Sequence, residues 1–145
     1  MNYQQLRRAI NRSDLEEVKA IIEAGFPVNG VPGHREKSPL YLAIETGKDD
    51  ISRYLLSVGA DPNQKEYFDG NTPLHIVTLF GTLEQAKFLL EKGADPSLRN
   101  KQGVTPLEVE GGFIFGDSPH IGEIKAYIRS YTARREEVKG PRCDK

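Results

Sequence analysis

Apolar positions in this chain recur at helical spacing in short bursts, each burst closed by a glycine. The clearest burst is NTPLHIVTLFGTLEQAKFLLEKGAD, residues 71–95. Thr72 suits a helix N-cap, and Pro73 stands at the first helical position, where a missing N–H costs nothing. Leu74, Val77 and Thr78 then fall on one side of a short helix, which Gly81 stops. Thr82 caps a second helix, and Gln85 three residues on completes a capping box. Ala86, Leu89 and Leu90 give that helix one apolar face, and Gly93 ends it. This unit of helix, tight turn, helix and loop is too small to bury its own apolar stripe, so it must stack on a neighbour.

The chain supplies the neighbours. Gly25, Gly59 and Gly93 are evenly spaced. The same interval separates Gly47 from Gly81, and it carries the doublet Ile21-Ile22 to Leu55-Leu56 and on to Leu89-Leu90. Pro39, Pro73 and Pro106 keep that interval to within one position. Several landmarks that share one period define a repeat array. The segments SPLYLAIETG and TPLHIVTLFG, with VGADPN and KGADPS, resemble ankyrin repeats. The resemblance covers residues 3–131 and implies an all-α solenoid of stacked helix–turn–helix units with extended turns.

Four units follow, at about residues 1–33, 34–66, 67–100 and 101–131, before a charged tail over 132–145 that is expected to be disordered. The first unit reads as a cap. Its opening helix, Tyr3 to Asn11, lacks the Pro start and carries Gln4, Gln5, Arg7, Arg8 and Arg12 on faces that no neighbour covers, as a terminal repeat requires. Ser13 is expected to cap its second helix, with Glu16 completing a capping box. In the second unit Tyr41 replaces the histidine of the family pattern. The fourth unit departs most. Thr105, Pro106 and Leu107 begin it, but Glu110, Gly111 and Gly112 do not suit a helix, so its first helix should be one turn or two. About five residues are inserted within 111–118, and the helix Ile121 to Tyr131 resumes with Ile121, Ile124 and Ile128 on one face.

Composition narrows the function classes. The formal net charge is −1 and charged residues make up 28%, which leaves no cationic surplus for nucleic acid. No apolar run approaches the length of a membrane span, and MNYQQLRRAI does not read as a signal peptide. The expectation is a cytoplasmic protein, or a secreted or periplasmic one trimmed of its leader. Cys143 is the only cysteine, so no internal disulfide forms.

Catalytic chemistry finds little support. His34, His75 and His120 are far apart, and no pair has helical metal-site spacing. The resemblance gives His75 a structural role, tying neighbouring turns together by hydrogen bonds. Asp61 and Asp95 belong to Gly-Ala-Asp loops, and the turn Tyr67–Asn71 is turn chemistry rather than a calcium loop. GGFIFG lacks the strand that a phosphate-binding loop would follow. No catalytic residue, cofactor or metal is expected. The competing reading is a metal-dependent hydrolase built on the 111–123 insertion, with Asp117, His120 and Glu123.

Binding has more to stand on. The resemblance places turn tips and the exposed side of the first helices on a concave face. Phe68, Leu79 and Phe80 then become large apolar residues at exposed positions of the third unit, and such a cluster marks an interaction site. Arg12, Arg35, Lys37, Glu45, Asp69 and Asn71 would form its polar surroundings. Phe113 and Phe115 of the insertion are either a second binding element or a plug over the end of the array. The expected function is non-catalytic binding of another protein by a small adaptor or stoichiometric inhibitor. The chain is expected to be a monomer on its own, with neither nucleic acid nor membrane as partner.

Overall fold

The structure is a computed structural model that describes residues 2–31, 34–109 and 119–139, with side chains of the last helix described from His120 to Arg135. Seven helices are present among the described residues, and no strand: α1 Tyr3–Asn11, α2 Leu15–Glu23, α3 Pro39–Glu45, α4 Asp49–Ser57, α5 Pro73–Phe80, α6 Leu83–Glu91 and α7 Pro119–Lys139. They stack as a solenoid of two helical layers. First helices pack in the order α1, α3, α5, and second helices in the order α2, α4, α6. The fourth unit does not continue both layers. Its first helix is reduced to one turn, closed by Glu108 N–H and Val109 N–H on Thr105 C=O at 2.9 and 3.2 Å. α7 therefore rests against both α5 and α6.

The predicted apolar faces meet in one continuous core. Leu6, Ile10, Ile44, Ile51, Leu55, Leu74, Leu89, Leu90, Ile124 and Ile128 are its largest fully buried aliphatic side chains. α7 is pinned at two points. Tyr131 Oη donates to Leu90 C=O at 3.0 Å, and Lys125 Nζ donates to Val109 C=O at 2.6 Å. It then continues past Tyr131, the expected end, to Lys139.

The loops between units form a hydrogen-bonded ladder with the same period. Asn29 Oδ1 accepts from Asp61 N–H at 2.8 Å, and Asn63 Oδ1 accepts from Asp95 N–H at 2.7 Å. Asp61 and Asp95 fold the loops by accepting from Asn63 N–H and Ser97 N–H. Both aspartates are structural, as their place in the Gly-Ala-Asp loops implied.

One cap differs from its expectation. Ser13 does not cap α2. It lies at φ 60°, and Asp14 Oδ1 caps instead, accepting from Glu17 N–H at 3.0 Å. Ser13 stands one repeat period before Gly47, which has φ 72°. It is the turn residue of the cap unit, so the capping role moves one position on.

Candidate functional site: the fingertip surface of the third unit

The extended turns project as fingers beyond the first-helix layer. The third finger closes on itself through Glu66 N–H to Asn71 C=O and Gly70 N–H to Glu66 C=O, both at 3.0 Å. The fourth closes through Asn100 N–H to Val104 C=O, also at 3.0 Å. Lys101 N–H donates to Asp69 C=O at 2.9 Å, and Asn100 Nδ2 to Asn71 Oδ1 at 2.8 Å. The two fingers therefore hold each other rigidly at their bases. Asp69 Oδ1 accepts from Asn71 N–H at 3.0 Å, which sets the bend of the third finger.

At the tip of that finger Phe68 is 70% exposed and Tyr67 49% exposed. Their rings meet edge to face, with centroids 5.2 Å apart. Arg35 from the second finger and Lys101 from the fourth each place a cation 5.3 Å from the Tyr67 ring centroid. The Lys101 ammonium also donates to the Tyr67 carbonyl oxygen. Such pairing offsets part of the cost of holding an aromatic ring in water. Between the second and third fingers lies a cleft of about 340 Å³, with Tyr3, Val31, His34, Lys65, Glu66 and Tyr67 among its walls. A second hollow, about 370 Å³, opens between Asn71, Leu79, Asn100 and Val104.

Three different side chains satisfy the same backbone donor, the N–H of the residue that caps each first helix. In the second unit Ser38 N–H donates to Glu66 Oε1 at 3.2 Å, and the Ser38 hydroxyl does the same. Glu66 is buried, and burial raises its pKa above the ordinary carboxylate value against the opposing effect of the Ser38 bonds. In the third unit Thr72 N–H donates to His75 Nδ1 at 3.1 Å. In the fourth, Thr105 N–H donates to Glu108 Oε2 at 3.0 Å. Tyr41 cannot do what His75 does, so the acceptor is Glu66, at the base of the third finger. Tyr41 is itself buried, which raises its pKa, as does Asp69. Burial also pushes Tyr3 up to about 12, helped by Glu36.

His75 is fully buried and bonded at both nitrogens. Val104 C=O, 2.8 Å from Nε2, can only accept, so Nε2 carries the proton. Nδ1 is then the lone-pair nitrogen that receives Thr72 N–H and the Thr72 hydroxyl. His75 thus ties two neighbouring turns together, which is the role that the resemblance implied.

The sites expected from sequence divide into groups. Arg35 and Phe68 come together around Tyr67, and Asp69 and Asn71 form the base of the same finger. Lys37 and Glu45 pair with one another at 2.6 Å across the second unit. Leu79 is half-buried and lines the second hollow rather than the fingertip. Phe80 is half exposed at the end of α5. Arg12 is exposed at the C-cap of α1 and shares no hydrogen bond or ion pair with the rest. Phe113, Phe115 and Asp117 lie outside the described residues. Sequence reasoning missed Tyr67, Lys65 and Glu66. Tyr67 sits beside Phe68, which it did single out. Glu66 stands one repeat period before Asn100, the other finger-closing residue, so the period was the available signal.

Of the groups expected for metal hydrolysis, His120 and Glu123 are exposed on α7. Among the described residues no group of three His, Cys, Asp or Glu could hold a metal ion. Among the same residues no helix is long and apolar enough to cross a membrane.

Stacked helical hairpins with a fingered edge define a solenoid repeat protein of the binding class. The ankyrin-repeat pattern matches residues 35–67 and 69–101. Mouse Ankyrin repeat domain-containing protein 37 is 27% identical over 129 residues, covering 88% of this chain and 80% of that protein. Mouse 2-5A-dependent ribonuclease is 38% identical over 71 residues, 49% of this chain but only 10% of that protein. Human NF-kappa-B inhibitor alpha is 44% identical over 41 residues, covering 28% of this chain and 13% of that protein. Ankyrin repeats therefore occupy residues 35–67 and 69–101, and repeats of this kind indicate a protein-binding module.

Proposed function

We propose that this chain is a small adaptor or stoichiometric inhibitor that binds one partner protein through its fingertips and concave face. The observation that carries the reading is the Tyr67–Phe68 tip. Two aromatic rings stand in water on a finger whose base is fixed by hydrogen bonds to its neighbour. A rigid, exposed aromatic anchor surrounded by charge is the usual centre of a protein interface. The similarity to NF-kappa-B inhibitor alpha supports the inhibitor side of the proposal. The similarity to a ribonuclease does not favour catalysis, because the match spans a tenth of that protein.

The test uses the tagged full chain as bait in an extract of its native cells, with captured proteins identified by mass spectrometry. Phe68→Ser should retain helicity and the melting midpoint and lose the captured partner, and adding Leu79→Asp should lose it too at some cost in midpoint. Capture that survives Phe68→Ser in a folded chain would remove the fingertip from the proposed interface. The single variant is the cleaner arm, because Leu79 is half-buried and its replacement also touches packing.

A further inference from the structure

Two polar side chains of the second-helix layer stand where the repeat otherwise places apolar ones. Leu15 and Leu83, one period before and one after Asp49, pack against the core, and Ile51, one period before Gln85, is buried in it. Stacking α4 on α6 brings the two departures to one place. Asp49 and Gln85 both line a cavity of about 10 Å³, with Ile44, Leu56, Phe88 and Leu89 among its apolar walls. Asp49 Oδ1 and Gln85 Nε2 are buried, and neither has a hydrogen-bond partner among the described residues. The orientation of the Gln85 amide is set, because its Oε1 accepts from Thr82 N–H at 3.0 Å. The unmet pair is therefore one acceptor and one donor. Arg53 does not answer Asp49, since its guanidinium lies 4.0 Å from the Glu84 carboxylate and 5.1 Å from the Phe88 ring centroid. Burial raises the Asp49 pKa above the ordinary carboxylate value, against the lowering effect of the Arg53 charge.

We infer that the cavity between α4 and α6 is a binding site for one internal water molecule, which accepts from Gln85 Nε2 and donates to Asp49 Oδ1. Buried polar atoms that lack a protein partner are ordinarily met by ordered water. The room in the cavity is about what a single water requires, on the order of 10–15 Å³, and is too small for a larger ligand. The chemistry of the two atoms disfavours other small occupants. A cation would face the Gln85 N–H, and an anion would face the Asp49 carboxylate, whereas water serves both ends. Ser52 also lines the cavity. Its hydroxyl proton goes to Lys48 C=O at 2.8 Å, which leaves lone pairs to accept the second proton of the water. The water would tether the second unit to the third within the second-helix layer, whichever face of the solenoid binds a partner.

The experiment is a high-resolution crystal structure of the full chain, paired in solution with magnetic relaxation dispersion of the water oxygen nucleus, which counts long-lived internal waters. The parent chain is compared with Asp49→Leu combined with Gln85→Ile. That pair restores the apolar residues of the register and removes both unmet atoms together, so the variant should fold at least as well as the parent. In the parent, one ordered water should lie within about 2.7–3.2 Å of both Asp49 Oδ1 and Gln85 Nε2. It should be absent from the double variant, and the dispersion amplitude should fall by about one water. A direct hydrogen bond between Asp49 and Gln85, an ion in the site, or a dry cavity in the parent crystal would overturn the inference. So would an unchanged dispersion amplitude in a folded double variant. Should the variant not fold, the parent crystal decides by itself, since a water bridging the two atoms supports the site and any other arrangement refutes it.

Discussion

At residue scale the solenoid depends on small polar exchanges that side-chain identity alone does not announce. The N–H of each first-helix cap needs an acceptor, and the units answer with Glu66, His75 and Glu108. His75 makes the strictest demand. One nitrogen must donate to Val104 C=O while the other accepts from Thr72, so only the neutral ring tautomer fits. Burial lowers its pKa from 6.5, and a proton added at Nδ1 would face an N–H donor. The stability supplied by neutral His75 is complete above pH 6.5 and is lost as pH falls through its lowered pKa. Glu66 and Asp49, whose pKa values burial raises, act with the opposite sign. Asp95, held low by Ser97, contributes above its ordinary 3.8 and loses that contribution only in more acid solution. The urea midpoint of the parent chain should therefore fall more steeply from pH 7 to about pH 5 than that of His75→Gln. Parallel curves would show that His75 does not titrate as a buried neutral ring.

At element scale the helix–helix turn recurs at Ser13, Gly47 and Gly81, one repeat period apart, with two different backbones. Gly47 takes a positive φ of 72°, where glycine is at ease. Gly81 is extended instead, with φ −91° and ψ −169°, and a Cβ there would stand 2.7 Å from Val77 Cα. Its reason is close approach rather than handedness. Ser13 adopts φ 60° with a side chain that disfavours it. Ser13→Gly should stabilise the cap unit by roughly 0.5–1 kcal/mol, the left-handed penalty less the entropy of a glycine. The check is the urea midpoint. A fall would mean that Ser13 contributes an interaction that outweighs its backbone strain.

At the scale of the whole molecule, the fold was legible because its information is periodic. Proline at first-helix starts, glycine at the turns and apolar doublets in the second helices each repeat, and each has a mechanical role that the structure confirms. The same reading misplaced the α2 cap, because a Ser followed three residues later by Glu outweighed the alignment of Ser13 with Gly47. The candidate site was legible in part. Phe68 could be seen because a turn tip has nothing above it. Leu79 could not be judged from position alone: Val104 of the fourth finger shares the hollow in which it is half-buried. The cations around Tyr67 were harder still, since Arg35 and Lys101 arrive from different units and meet only after stacking.

In the proposed function, partner binding uses the fingers and not the outer helical layer. Amide hydrogen exchange of the chain, alone and saturated with its captured partner, tests it most directly. Binding should slow exchange across residues 34–37, 67–71 and 99–104 and leave α2, α4 and α6 unchanged. Protection confined to α2, α4 and α6, with the fingers exchanging as in the free chain, would contradict it.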